Sequence, residues 1–252
     1  MSLLAEILAH KRAEAAGLGP APRSRFEPRP APLARGPGQP LRLITEIKRR
    51  SPSAGPLSTA LSVGERARVY QHAGASMLSV LTDAKYFDGA FDHLRLAREA
   101  STLPLLCKDF IVSERQLDWA RASGADAVLL IVRCLAPPEL DALLGACRAR
   151  GLTPLVEVAT DAEAARARDA GAELVGVNAR DLDTLAMDPD GAARILAGLP
   201  PGVTRVHLSG VASAQDVRQL AARRLDAALI GEALMRQADP APLLAEMCAA
   251  AG

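Results

Sequence analysis

Glu46 and Lys48 stand one residue apart, and Lys108, Glu157 and Asn178 follow farther along, each within or just after a short apolar run. A lysine can donate a proton or form a Schiff base, whereas an arginine stays charged. That contrast matters in a chain with four lysines (11, 48, 85 and 108) and 26 arginines. Lys11 and Lys85 lie in polar surroundings and are read as incidental. A charged or amide group in or capping a core strand costs several kcal/mol unless it is paired. Barrels do bury lysine–acid layers as architecture, so Glu46 or Lys48 alone would say little. Lys108 and Glu157, on different apolar runs, say more. Asp109 fits a structural role, holding the Lys108 loop. His207, inside a run, is read as a core histidine, and Glu232 as a carboxylate favouring the positive end of a helix.

Other groups suit a phosphate. Ser209-Gly210 and Gly231-Glu232-Ala233 close the last two runs; Ser51 and Ser53 after the first run and Arg180 after Asn178 are further polar groups at strand ends. Backbone amides beside glycine let an anion approach closely, and a serine hydroxyl adds a donor. The residues alone leave three chemistries open. One is a lysine Schiff base of the class I aldolase kind, and another is a sugar-phosphate isomerisation with Glu157 as base. The third is a phosphate-ligand binder without catalysis, which would have no need of Lys108 and Glu157 together.

The elements that position these groups are eight apolar runs at residues 43–47, 77–81, 105–107, 128–132, 155–158, 174–177, 206–208 and 228–230. They lack clean alternation, as parallel strands buried on both faces do. Helix punctuation lies between them. Ser113 with Gln116 and Thr160 with Glu163 fit capping boxes, Pro138 and Pro240 suit first turns, and Gly74, Gly124, Gly151 and Gly171 suit helix ends. Gly74-Ala75-Ser76, Gly124-Ala125-Asp126 and Gly171-Ala172-Glu173 form a weak repeat leading into strands. This alternation predicts a single (β/α)8 TIM barrel over residues 41–252, with chemistry at the strand C-termini. An open doubly wound sheet would call for a glycine-rich phosphate loop after the first strand, and Ser51-Pro52-Ser53-Ala54-Gly55 is not one. Residues 1–40 form an N-terminal extension. It opens with an amphipathic helix over 2–16 carrying Leu4, Ile7 and Leu8 on one face. A Pro-rich irregular segment with seven prolines between 20 and 40 follows. The extension is expected across one mouth of the barrel.

Composition excludes several classes. The 252 residues carry 30 basic against 29 acidic side chains, net +1, so no nucleic-acid or membrane-surface partner is expected. Cys107, Cys134, Cys147 and Cys248 show no paired or metal-ligand spacing and suit a reducing compartment. Glu6 interrupts what would be a signal peptide, and no run spans a bilayer, so a cytoplasmic location is expected. No exposed apolar stripe stands out, so a monomer is expected.

The ordered motifs resemble the indole-3-glycerol phosphate synthase family of tryptophan biosynthesis. They are Glu46-Ile47-Lys48 with Ser51-Pro52-Ser53, Leu78-Ser79-Val80-Leu81-Thr82-Asp83, Cys107-Lys108-Asp109-Phe110-Ile111, Leu155-Val156-Glu157-Val158, Gly176-Val177-Asn178-Ala179-Arg180-Asp181-Leu182, Ser209-Gly210 and Gly231-Glu232-Ala233-Leu234-Met235. The resemblance implies a carboxy-lyase that closes the ring of 1-(2-carboxyphenylamino)-1-deoxyribulose 5-phosphate, releasing CO2 and water. It implies Lys108 as general acid, Lys48 on the substrate carboxylate, and Glu157 as proton carrier for the dehydration, with Glu46 and Asn178 orienting. Whether Lys48 and Glu46 carry the dehydration instead stays open at this level. Phe87, Phe110, Leu129 and Ile131 would wall the aromatic pocket, with Arg180 assisting with anions. The implied chemistry needs no metal or organic cofactor. Weak association with other tryptophan-pathway enzymes is a further implication. The chain departs from the family pattern at Ala90, where serine is common, and at Ala159, where histidine is common.

Overall fold

The structure is a computed structural model that describes residues 2–252. Eight parallel strands close into a barrel: β1 (Arg42–Ile47), β2 (Met77–Leu81), β3 (Leu105–Lys108), β4 (Ala127–Ile131), β5 (Thr153–Val158), β6 (Leu174–Asn178), β7 (Thr204–Leu208) and β8 (Ala227–Ile230). β1 pairs with both β2 and β8, which closes the ring. Each predicted run falls on one strand. Only Val132 differs, because the chain turns there into a 3-10 segment, Val132–Cys134. These strands are buried on both faces, so valine, isoleucine and leucine fill inward and outward positions alike.

The register assigns the faces. Glu46 pairs with Ser79, Leu81 with Lys108, Ile131 with Glu157 and Asn178 with Leu208. Paired residues of parallel strands point to the same side, so Glu46, Lys108, Glu157 and Asn178 share the barrel interior near its C-terminal mouth.

The main outer helices are α2 (Val63–His72), α4 (Phe91–Ala100), α5 (Glu114–Ala122), α6 (Pro137–Ala149), α7 (Asp161–Asp169), α8 (Pro189–Gly198), α9 (Ala214–Ala221) and α11 (Ala241–Ala249). Short helices α3 (Ala84–Phe87) and α10 (Glu232–Met235) follow β2 and β8. Ser113 and Thr160 cap α5 and α7, accepting from the Arg115 and Glu163 amides. The expected reciprocal bond is displaced in both: Gln116 and Glu163 accept from Val112 and Ala159, one residue ahead of the cap. Pro137 and Pro138 both stand in the first turn of α6, as expected of Pro138, and Pro240 is the residue just before α11.

The extension contributes α1 (Leu3–Gly17), capped by Ser2, at the C-terminal mouth. Its buried residues are Leu4, Ile7, Lys11 and Ala15. Leu8, expected on that face, is only half-buried, because the stripe continues through Lys11 at helical spacing from Ile7. Residues 18–41 then run to the opposite end of the barrel. There the Arg29 amide donates to Asp126, just before β4, and the Arg35 amide to Asp226, just before β8. Leu33 is buried in the core at that end.

Asp126 explains part of the weak repeat. Gly124 takes φ +96°, and a Cβ there would fall 2.8 Å from Arg98 Cγ. That turn brings Asp126 onto Arg98 at 2.9 and 2.7 Å, while its oxygens also accept from the Arg29 and Leu105 amides. Removing one partner of a buried pair strands the other charge. Asp126→Ala is therefore expected to lower the unfolding free energy by about 3–5 kcal/mol in equilibrium urea titrations.

Cys107, Cys134 and Cys147 are buried, and Cys248 is half-buried. Burial pushes the Cys107 thiol up to about 12, which keeps it protonated and inert.

Candidate active site

A cavity of about 380 Å³ opens at the C-terminal mouth. Its lining includes Glu46, Lys48, Ser51, Ser53, Phe87, Lys108, Phe110, Glu157, Asn178, Arg180, Ser209, Gly210, Gly231, Glu232 and Ala233, so most of the predicted site residues converge on one space.

Two ionic groupings face it. At the end of β1, Lys48 Nζ lies 2.6 Å from Glu46 Oε1. Burial alone would raise the Glu46 pKa, but Lys48 and Lys108 outweigh it and hold Glu46 below the usual carboxylate range. The second grouping joins β3, β5 and β6. Lys108 Nζ stands 3.8 Å from Glu157 Oε2, and Asn178 Nδ2 donates to Glu157 Oε1 at 2.9 Å. Asn178 Oδ1 accepts from the Arg180 amide at 2.9 Å, which fixes the side-chain amide so that its NH2 points at Glu157. Glu157 is 2 % exposed, and its Oε2 has no hydrogen-bond partner among the described residues. A buried carboxylate oxygen aimed at a lysine across a gap is a group ready to accept or deliver a proton.

The apolar wall comes from Phe87 and Phe110, whose ring centroids are 6.3 Å apart. Leu129 and Ile131, expected in that wall, are not among the lining residues. Leu129 pairs with Leu155, one inward layer below Glu157, and Ile131 is buried beside Glu157. Their places are taken by Leu3, Leu4 and Ile7 of α1 and by Leu182 and Leu185 of the loop after β6. The sequence offered one signal for the first group, the apolar face of the extension; the leucines of an irregular loop carry no periodicity to find them by.

Past β7, Ser209 and Gly210 both take positive φ, 70° and 84°, which folds the chain back over the cavity. Past β8, Glu232 pairs with Arg236 at 2.7 Å along α10, leaving the first-turn amides of that helix without helical partners. Gly231 has a steric role: a Cβ there would fall 2.5 Å from Glu46 Oε1. Gly231→Ala is expected to displace Glu46 and to lower kcat about 10–100-fold, the scale of an ångström-level misplacement, with an unchanged circular dichroism spectrum.

Lys11 is not incidental: it is fully buried, with Asp109, Asp83 and Glu14 carboxylates at 2.9, 3.0 and 3.0 Å. His207 is buried as expected, though its Nδ1 has no partner among the described residues, and burial lowers its pKa.

A closed barrel with paired acids and lysines in one apolar-walled cavity at the strand C-termini is an enzyme of the (β/α)8 class. Solved structures agree on the fold. A 3-hexulose-6-phosphate synthase superposes with TM-score 0.66 at 19% identity, covering 84% of this chain and 100% of its own. The thiamine phosphate pyrophosphorylase of Pyrococcus furiosus gives 0.64 at 17%, covering 84% and 95%. Sequence goes further than fold. The family model for indole-3-glycerol phosphate synthase matches residues 25–247. The indole-3-glycerol phosphate synthase of Mycolicibacterium vanbaalenii is 47% identical over 208 residues, 82% of this chain and 76% of the relative. That of Mycolicibacterium gilvum is 44% identical over 233 residues, 90% and 85%. The chain belongs to the indole-3-glycerol phosphate synthase family.

Proposed function

We propose that the chain converts 1-(2-carboxyphenylamino)-1-deoxyribulose 5-phosphate to indole-3-glycerol phosphate, with Lys108 and Glu157 as its proton-transfer pair. The observation that carries this reading is the 3.8 Å approach of Lys108 Nζ to Glu157 Oε2 on the wall of a cavity lined by Phe87 and Phe110.

The ring carbon bearing the carboxylate must attack the C2 carbonyl of the sugar chain. That carbon is a weak nucleophile, so the C2 oxygen needs a proton as the bond forms. Lys108 supplies it. Lys48, held by Glu46, binds the ring carboxylate and bends the substrate so that the ring meets C2. Loss of CO2 returns the bonding pair to the ring and restores aromaticity. The C2 hydroxyl then departs as water, taking a proton as C1 gives one up. Glu157 serves this step beside the same C2 oxygen, positioned by Asn178. Glu46, kept ionised by Lys48 and Lys108, is suited to holding Lys48 on the ring carboxylate rather than to giving up a proton.

The phosphate end is assigned to the Ser209-Gly210 turn, the amides of Gly231, Glu232 and Ala233, and Arg180, with Ser51 and Ser53 closing over it. The Glu232 carboxylate is turned to Arg236 and contributes only through its backbone. Asp109, as expected, holds its loop, accepting from the Phe110 amide at 2.8 Å. The reading goes with a cytoplasmic monomer, which the scarcity of exposed large apolar side chains supports: Met187 is the single one among the described residues.

The test is stoichiometry. Purified protein given the carboxyphenylamino substrate is expected to release one CO2 per indole product, with chelator present. Borohydride should trap no lysine adduct. A trapped adduct, or product other than an indole, would replace this reading with the aldolase or isomerase chemistry.

A further inference from the structure

Outside the catalytic groups, a buried charge cluster lies where α1 meets the ends of β2 and β3. Lys11 Nζ there touches carboxylates from three elements: Glu14 of its own helix, Asp83 at the end of β2 and Asp109 at the end of β3. Lys11, Asp83 and Asp109 are essentially solvent-free. Burial alone would drive the lysine toward its neutral form, but Asp109 and Asp83 outweigh it and hold the cation.

Each aspartate also grips a working segment. Asp83 Oδ1 accepts from the Tyr86 amide at 2.6 Å, which starts the short helix carrying Phe87. Asp109 Oδ1 accepts from the Phe110 amide, and its Oδ2 accepts from Thr82 Oγ1 at 2.7 Å; Lys108 is the residue before it. One and two turns back on α1, Ile7 and Leu4 line the cavity. The other polar ties of α1 lie at exposed or half-buried positions: Arg12 to Glu139, Glu6 to Lys85 and to the Tyr86 hydroxyl, the Leu4 amide to Asp183, and the Ala16 carbonyl to Arg115; such exposed ion pairs are of little strength.

We propose that Lys11 is a positioning residue that clamps α1 over the cavity and, through Asp83 and Asp109, sets Phe87, Lys108 and Phe110 in register for the ring-closing reaction. Without the cation, two buried carboxylates face each other, α1 keeps its apolar contacts through Leu4, Ile7 and Ala15 but loses its buried ionic anchor, and both aromatic walls lose a fixed support. The inference rests on the proposed reaction for its kinetic readout, and on hydrogen exchange for its structural one.

The experiment compares wild type, Lys11→Met, Ile7→Ala and the double variant. Lys11→Met is expected to lower kcat/KM about 10²-fold, mostly through KM, as α1 and the aromatic wall leave the substrate. Ile7→Ala should raise KM in the wild type and add almost nothing in the Lys11→Met background, because a released helix no longer presents Ile7. Lys11→Met/Asp109→Asn, which removes one of the stranded charges, should recover part of the loss. Amide exchange in α1 should rise in Lys11→Met while β3 and β5 stay protected. Unchanged KM, additive effects of the two substitutions, or equal protection of α1 would overturn the clamp. A wild type that leaves the substrate untouched would overturn the reaction instead, and the exchange of α1 would still decide the clamp.

Discussion

Lys108→Met is expected to lower kcat about 10²–10⁴-fold, the usual worth of a positioned general acid, with KM changed only a few-fold. The reason is geometric. Lys108 ends β3 with its ammonium facing Glu157, and its place in the fold is fixed by neighbours that the substitution leaves intact. Removal of the ammonium leaves the buried Glu157 carboxylate without its cation, while Asn178 still donates to Glu157 Oε1, so the fold should survive with a lowered thermal midpoint. CO2 and indole formation should slow together by the same factor, because ring closure comes before both. Rapid-quench assays of both products check this. CO2 release at the wild-type rate would contradict the assignment.

Glu157→Gln is expected to show the second large effect, about 10²–10³-fold in steady-state kcat, with a different signature. Ring closure and decarboxylation still proceed from Lys108, so CO2 should appear in a burst that outruns the indole. The closed, decarboxylated intermediate with its hydroxyl in place should accumulate. Asn178 can still hydrogen-bond the replacement amide, so the fold should survive. The same burst in Glu46→Gln, and none in Glu157→Gln, would move the dehydration to the β1 pair.

The strands were legible in the sequence because burial on both faces leaves a simple trace, an unbroken run of branched apolar residues. Lys48, Lys108, Glu157 and Asn178 were legible for a related reason: polar groups at the ends of such runs are costly, so their clustering at one end of a barrel marks a site. Lys11 was not. A lysine in a helix of mixed polarity reads as solvent-facing, and the two carboxylates that bury it lie on distant strands, β2 and β3. The pocket wall was half legible. Of the four residues the resemblance implies, Phe87 and Phe110 line the cavity, whereas Leu129 and Ile131 lie within β4, and a place on a barrel strand does not tell an inner layer from a cavity rim. Leu182 and Leu185, on a loop, left no pattern at all. That the extension covers the catalytic mouth and also passes beneath the barrel follows from contacts such as Arg29 with Asp126, which spacing along the chain does not encode.

The most direct test of the central claim is a crystal structure with the substrate's C2 carbonyl reduced to an alcohol, so that the ring cannot close. The C2 hydroxyl is expected within hydrogen-bond reach of Lys108 Nζ, about 2.6–3.2 Å, and beside Glu157. The ring carboxylate should lie on Lys48 and the phosphate at the Ser209-Gly210 and Gly231 turns. A C2 hydroxyl resting on Lys48 and Glu46, with Lys108 out of reach, would contradict the account.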